Sequence, residues 1–192
     1  MVDELATAKR TAAADGLPSF GRKGRFTIEA LPFLSRYIFR GSEAAAHDLG
    51  LAFGAELSRV ALVGHENAET GRAALWLGPD EWQLIGPELD HAAIAETVSR
   101  VVTEPHSLAD ISHRNTGIIV RGSKVESVLN AGMPLDLDPG VFPVGMCTRT
   151  LFLKADIILW RRAPDTFYVE CFRSFLPYVW AQLEEAAREY VA

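Results

Sequence analysis

The densest set of chemically capable side chains in the sequence is Asp110-Ile111-Ser112-His113-Arg114, which places an acid, a hydroxyl, an imidazole and a guanidinium within one short stretch. Such a set can line a polar pocket or an interface. It can equally be a turn in which Asp110 or Ser112 satisfies backbone donors. Arg149 shares a strand face with Leu151 and Leu153 when Cys147-Thr148-Arg149-Thr150 is read as a strand entered from the stiff loop Phe142-Pro143-Val144-Gly145. An arginine on an apolar face calls for a carboxylate, with Glu170 or Asp156 the expected partner, or else for a ligand carboxylate or a partner chain. Glu170 and Arg173 form a Glu-x-x-Arg pair where a strand turns into a helix, most simply an internal ion pair. Asp110, Ser112, His113, Arg114, Phe142, Arg149, Glu170 and Arg173 are therefore the candidate interface or pocket residues.

Other chemistries find less support. The histidines, His47, His65, His91, His106 and His113, lack the i, i+4 spacing of a helical zinc site, and His91 reads as a surface residue beside Asp90. Cys147 and Cys171 lie in apolar, strand-like text without a Cys-x-x-Cys motif and are expected as buried, reduced thiols. Gly117 to Lys124 has the spacing of a phosphate loop but the order Gly-Ser-Lys instead of Gly-Lys-Ser, and its intervening residues are apolar strand text. Ser42 and Ser123 read as helix N-caps, since no Gly-x-Ser-x-Gly elbow surrounds them. No catalytic, cofactor-binding or metal-ligating residue is expected.

The 192 residues are 48% hydrophobic with a formal charge of −6, enough apolar surface for one sizeable core and too acidic for a phosphate-backbone partner. No apolar run reaches the roughly 20 residues of a membrane span, and Met1-Val2-Asp3-Glu4-Leu5 has no leader character, so a cytoplasmic location is expected. Residues 1–25 read as a flexible arm, followed by one domain over 26–192.

The elements that must position the candidate residues repeat. Phe39-Arg40-Gly41-Ser42 leads into a helix, as does Val120-Arg121-Gly122-Ser123. Leu75-Trp76-Leu77, Pro79-Asp80 and Trp82-Gln83-Leu84 match Leu159-Trp160-Arg161, Pro164-Asp165 and Phe167-Tyr168-Val169, and each hairpin feeds a helix. Strands are expected at 36–40, 60–65, 73–77, 82–85, 107–112 and 116–120, with a helix from Glu88 to Val102 burying Leu89, Ala93, Ile94, Val98 and Val101. The last helix, from Ser174 to about Tyr190, buries the stripe Leu176, Val179, Leu183, Ala187 and Tyr190. The fold class is thus α+β: two pseudo-repeated ferredoxin-like units, about 33–112 and 113–192, with helices on one face of each sheet and the sheets packed face to face or joined edge to edge.

These residues also carry a resemblance. Asp110-Ile111-Ser112-His113-Arg114 followed by Val120-Arg121-Gly122 resembles the aminomethyltransferase superfamily. Trp76 to Trp82, Leu135-Asp136-Leu137, Phe142 to Gly145, Cys147 to Thr150 and Arg173-Ser174-Phe175 with Tyr178-Val179-Trp180 resemble, in order, the gamma subunits of heterotetrameric sarcosine oxidases. The resemblance implies a folate-binding-domain-like, aminomethyltransferase-like fold. It implies a non-catalytic subunit of a complex that demethylates sarcosine oxidatively to glycine, with hydrogen peroxide and, with tetrahydrofolate, 5,10-methylenetetrahydrofolate. The chain would pack mainly on the alpha subunit, with beta and delta subunits in the complex; FAD, FMN, NAD, tetrahydrofolate and zinc would belong to those partners. A stand-alone folate-binding or aminomethyltransferase-like protein is the alternative, and the isolated chain could form a homodimer.

Overall fold

Alternation of apolar side chains along the strands is double-sided: Phe39 and Leu84 point one way while Ile85 and Leu75 point the other. A sheet apolar on both faces must be covered on both, and the computed structural model, which describes residues 17–191, does this with four layers. The described residues form β1 (Phe20–Arg22), β2 (Phe26–Ala30), β3 (Leu34–Arg40), α1 (Glu43–Phe53), β4 (Gly64–Asn67), β5 (Arg72–Gly78), β6 (Glu81–Pro87), α2 (His91–Val101), β7 (Ser107–Asp110), β8 (Asn115–Arg121), α3 (Val125–Asn130), β9 (Cys147–Phe152), β10 (Ala155–Ala163), β11 (Thr166–Phe172) and α4 (Leu176–Val191). One sheet has the order β4-β5-β6-β3-β7 and the other β9-β10-β11-β8-β2-β1, every pairing antiparallel. The inner faces pack on each other through Ala73, Leu75, Ile85, Ile119, Ile158, Trp160 and Tyr168. α1 and α2 cover the outer face of the first sheet, α3 and α4 that of the second.

The two sheet orders superimpose position for position, and in that alignment β2 stands where β7 stands. This alignment sets the boundary between repeats before β7 and not after it, so that the repeats are β2 to α2 and β7 to α4. Each donates its first strand to the other's sheet: β2 leads into β3 but pairs with β8, while β7 leads into β8 but pairs with β3. Each sheet also carries an edge strand, β4 or β9, beyond the four of a ferredoxin-like unit, paired antiparallel to its one neighbour. The edges β4 and β9 meet at one corner, where Val63 bridges Met146 and the Gly64 N–H donates to the Gly145 carbonyl at 2.8 Å.

Local chemistry explains most boundaries. The Ser42 hydroxyl accepts the Ala45 N–H at 3.1 Å and caps α1, which ends at Gly54 in the left-handed region, φ +82°. Ser123 does not repeat this role: Lys124 precedes α3 and no side chain caps it. The reason is a close approach. Gly122, φ +128°, sits where a Cβ would fall 2.3 Å from the Arg25 carbonyl oxygen, and the N–H groups of Ser123 and Lys124 bond Gly24 and Arg25 instead.

Other differences from the expected elements are informative. Residues 1–16 of the expected arm lie outside the described residues, but Phe20 to Arg22 join the sheet as β1, and Phe20 packs on the core of α4. The strand expected at 60–65 is a turn that becomes β4 only at Gly64. Leu89 is 95% exposed, because a 3-10 turn at Glu88–Asp90 puts it out of phase with α2, whose buried positions are Ile94, Thr97 and Val98. The stripe of α4 holds for Leu176, Val179, Leu183 and Ala187, which are buried, but Tyr190 at its end is only partly so, and Trp180 is buried beside it. No helix among the described residues is long and apolar enough to cross a membrane.

Because β2 of the first repeat lies in the second sheet and β7 of the second repeat lies in the first, the two repeats are interlocked. Urea unfolding followed by far-UV circular dichroism and by tryptophan fluorescence is expected to give one coincident transition; two separated transitions would contradict the exchange as a stabilising device.

Candidate functional site

Where the inner faces meet, the apolar layer is interrupted by a buried polar cluster. β11 places Glu170 and Tyr168 on the inner face, β3 places Arg36 opposite, β6 contributes Gln83 and β8 Asn115; of these Glu170, Gln83 and Arg36 are at most 2% exposed. Glu170 Oε2 accepts from Arg36 Nε at 2.9 Å and from the Tyr168 hydroxyl. Its Oε1 accepts from Gln83 Nε2 and Asn115 Nδ2, each at 2.6 Å. Four donors from four strands thus converge on one carboxylate, which makes its burial tolerable. Gly117 makes room: a Cβ there would lie 2.6 Å from the Tyr168 ring.

Electrostatics keep Arg36 charged and Tyr168 neutral. Burial alone would lower the Arg36 pKa, but Tyr168 and Glu170 more than offset it and hold the guanidinium above its ordinary value. Burial drives the Tyr168 hydroxyl well above the usual phenol range; Arg36 opposes this and Glu170 reinforces it. The cysteines follow the same physics. Burial pushes both Cys147 and Cys171 up to about 12, so neither is a thiolate nucleophile at neutral pH.

The register of the second sheet arranges its inner face in rows. Cys147, Trp160, Tyr168 and Ile119 form the first, under the other sheet; Arg149, Ile158, Glu170 and Gly117 form the second. In the third, Leu151 stands opposite Asp156, and Phe172 opposite Asn115. This third row projects past the first sheet into an open groove of about 540 Å³, to which Ile38 is the first sheet's contribution and Arg114 a rim residue.

The structure distributes the expected site residues between this groove and other places. Arg114, Arg149 and Glu170 line it. Arg149 does not pair with Glu170 or Asp156 but with Glu81 of the other sheet, one of its bonds being 3.3 Å, so it latches the two sheets at their edge. Glu170 pairs with Arg36 and not with Arg173, whose backbone N–H donates to the Arg114 carbonyl at 2.9 Å. Arg114 lies over the Phe172 ring, its guanidinium carbon 5.2 Å from the centroid, and its Nε donates to Asn115 at 3.1 Å. Asp110 and Ser112 form the turn: Asp110 Oδ1 accepts the Ser112 N–H at 2.9 Å and its hydroxyl at 2.6 Å, while Ser112 Oγ accepts the Arg36 N–H at 2.9 Å. His113 is exposed, with its ring 5.2 Å from that of Phe33. Phe142 is a core residue, 2% exposed and packed beside Phe167. His91 is not a bare surface residue; it is half-buried, its ring 5.2 Å from that of Tyr37, whose hydroxyl donates to the His91 carbonyl at 2.8 Å.

Sequence reading missed Arg36, Gln83, Tyr168 and Asn115. Their signal was weak: single polar side chains in otherwise apolar strand text, with Arg36 lying 134 positions from Glu170.

Tyr168 makes the site's pH dependence explicit. Its native pKa lies above the ordinary phenol value near 10, so the stability it contributes is complete below about pH 10 and is lost as pH rises beyond that. The urea midpoint of the wild type is expected to fall between pH 9 and 11 more steeply than that of Tyr168→Phe; parallel curves would contradict a buried neutral phenol.

Comparison with known proteins places this geometry. Residues 40–189 match the sarcosine oxidase, gamma subunit family. The sarcosine oxidase subunit gamma of an Arthrobacter species is 33% identical over 129 residues, 67% of this chain and 61% of the relative. The match spans about three fifths of the length of that relative and of its Corynebacterium strain P-1 counterpart, 61% and 60% respectively. A chain of the heterotetrameric sarcosine oxidase from Corynebacterium sp. U-96, solved in complex with pyrrole 2-carboxylate, has the same fold: TM-score 0.85 at 24% identity, over 97% of this chain and 98% of that one. The glycine cleavage system aminomethyltransferase T of Bartonella henselae shares the fold more distantly, with TM-score 0.64 at 12% identity over 86% of this chain and 47% of that one. The family match across most of the chain, with an aminomethyltransferase-like α+β fold beneath it, shows that this protein belongs to the sarcosine oxidase gamma subunit family.

Proposed function

We propose that the chain is the gamma subunit of a cytoplasmic heterotetrameric sarcosine oxidase, a complex that demethylates sarcosine oxidatively to glycine. In this reading the chain is non-catalytic and packs on the alpha subunit, where a related domain completes a pseudo-dimer, with beta and delta subunits also present. FAD, FMN, NAD, tetrahydrofolate and zinc belong to those subunits, and the gamma chain shields labile one-carbon transfer from water. The observation that carries the reading is the family match over residues 40–189.

The site geometry is consistent with such a role. Within the buried cluster, Arg36 and Glu170 bond to each other and to side chains of neighbouring strands, so they stiffen a scaffold. The cysteines are held as neutral thiols. The likeness to the aminomethyltransferase covers 47% of that chain, which leaves more than half of that protein without a counterpart in the superposition.

Affinity purification of the tagged full-length chain from its own cells tests the reading. A yellow eluate with flavin absorption, a larger partner and sarcosine-dependent peroxide formation is expected. A colourless lone chain whose thermal midpoint rises with tetrahydrofolate concentration would overturn it in favour of a stand-alone folate-binding protein.

A further inference from the structure

The groove end of the second sheet is unusual in what it leaves exposed. Of the ten large hydrophobic side chains exposed among the described residues, Leu151, Leu153, Phe172 and Phe175 lie at this end, where the β9–β10 turn and the end of β11 come together. An apolar concentration of this kind on a folded protein marks a surface that another protein covers. The polar groups around it are unmatched too. Arg114 on the rim and Asp156 on the floor have no oppositely charged partner among the described residues, whereas Arg149 and Arg162 at the sheet edges are paired with Glu81 and Glu66. β9 itself is the last strand of its sheet, with no strand beside it after the Val63–Met146 bridge, so one row of its backbone donors and acceptors faces outward.

These features together specify an occupant. Apolar side chains fit against Leu151 and Phe172, a carboxylate meets Arg114, and an extended main chain can pair with the free edge of β9. Local charge sets the polar part of that choice: Arg114 on the rim takes a carboxylate, and Asp156 on the floor takes a hydrogen-bond donor of the same segment. We propose that the shelf of Leu151, Asp156 and Phe172, with Arg114 and the outer edge of β9, is the surface on which the larger partner subunit docks, through an extended segment bearing apolar side chains and a carboxylate. This inference rests on the reading of the chain as a gamma subunit.

The test is co-expression of the full chain with its cognate large subunit, followed by capture on a tag carried by the latter. Arg114→Glu and Leu151→Asp are expected to reduce retention at least tenfold while leaving the far-UV circular dichroism of the free chain unchanged and its unfolding cooperative. Leu51→Asp, on the outer helical layer, is expected to be retained like the wild type. In the wild-type complex, amide exchange of residues 148–152 should slow relative to the free chain. If the wild type is captured and both shelf variants are captured equally well, the docking surface is wrong and the gamma-subunit reading stands. Failure of the wild type itself to be captured overturns the reading and the surface together. Self-association of the chain through the shelf, undisturbed by the large subunit, also overturns the surface.

Discussion

A carboxylate taken out of water must be neutralised and fully hydrogen-bonded or it will not stay charged, and in this protein that requirement falls on Glu170. Stripping water from such an ion costs several kcal/mol, and the return comes from four side chains on β3, β6, β8 and β11. None of the four donors can slide by one residue without turning its side chain to the opposite face. The cluster therefore fixes the register of each sheet and the position of one sheet over the other. Hydrophobic area supplies most of the packing energy, but apolar contact is non-directional and would accept several alignments of two flat faces.

The remaining architecture follows from that alignment. With the central row locked, the apolar first row is trapped beneath the neighbouring sheet, and strand exchange through β2 and β7 ties each sheet to both halves of the chain. Surface ion pairs, Arg149 with Glu81 and Arg162 with Glu66, close the edges at a modest gain of about 1 kcal/mol or less each. What is left is the third row, which projects beyond its cover. Rigidity behind this projecting row is what a docking surface needs, since a preorganised face loses less entropy on association. The internal neutrality of the cluster and the exposure of the shelf are thus two consequences of one packing solution.

Much of this was legible in the residues. The repeated strand–hairpin–helix text, the Ser42 cap, the stripe of α4 and the buried thiols all arise from local or periodic patterns, which sequence reports directly. The failures share a different cause. Glu170 was recognised as significant but assigned the wrong partner, because the choice among Arg36, Arg149 and Arg173 depends on how strands far apart in sequence are superposed. Ser123 failed as a cap because Arg25 approaches from the turn between β1 and β2, a contact that no window around Ser123 contains. Leu89 was misplaced by the 3-10 turn, which shifts the helical phase. The family resemblance entered by motif, and neither it nor the periodicity revealed that the two halves exchange a strand.

The most direct measurement of the central claim is a double-mutant cycle on Arg36 and Glu170, using Arg36→Met and Glu170→Leu with stability read from urea unfolding. Each single change strands a buried charge and should cost about 3–5 kcal/mol. The double variant, with no charge left, should lose far less than the sum of the two. Additive losses would mean that the pair does not act as a unit, and the account of one ion pair fixing the two sheets would be wrong.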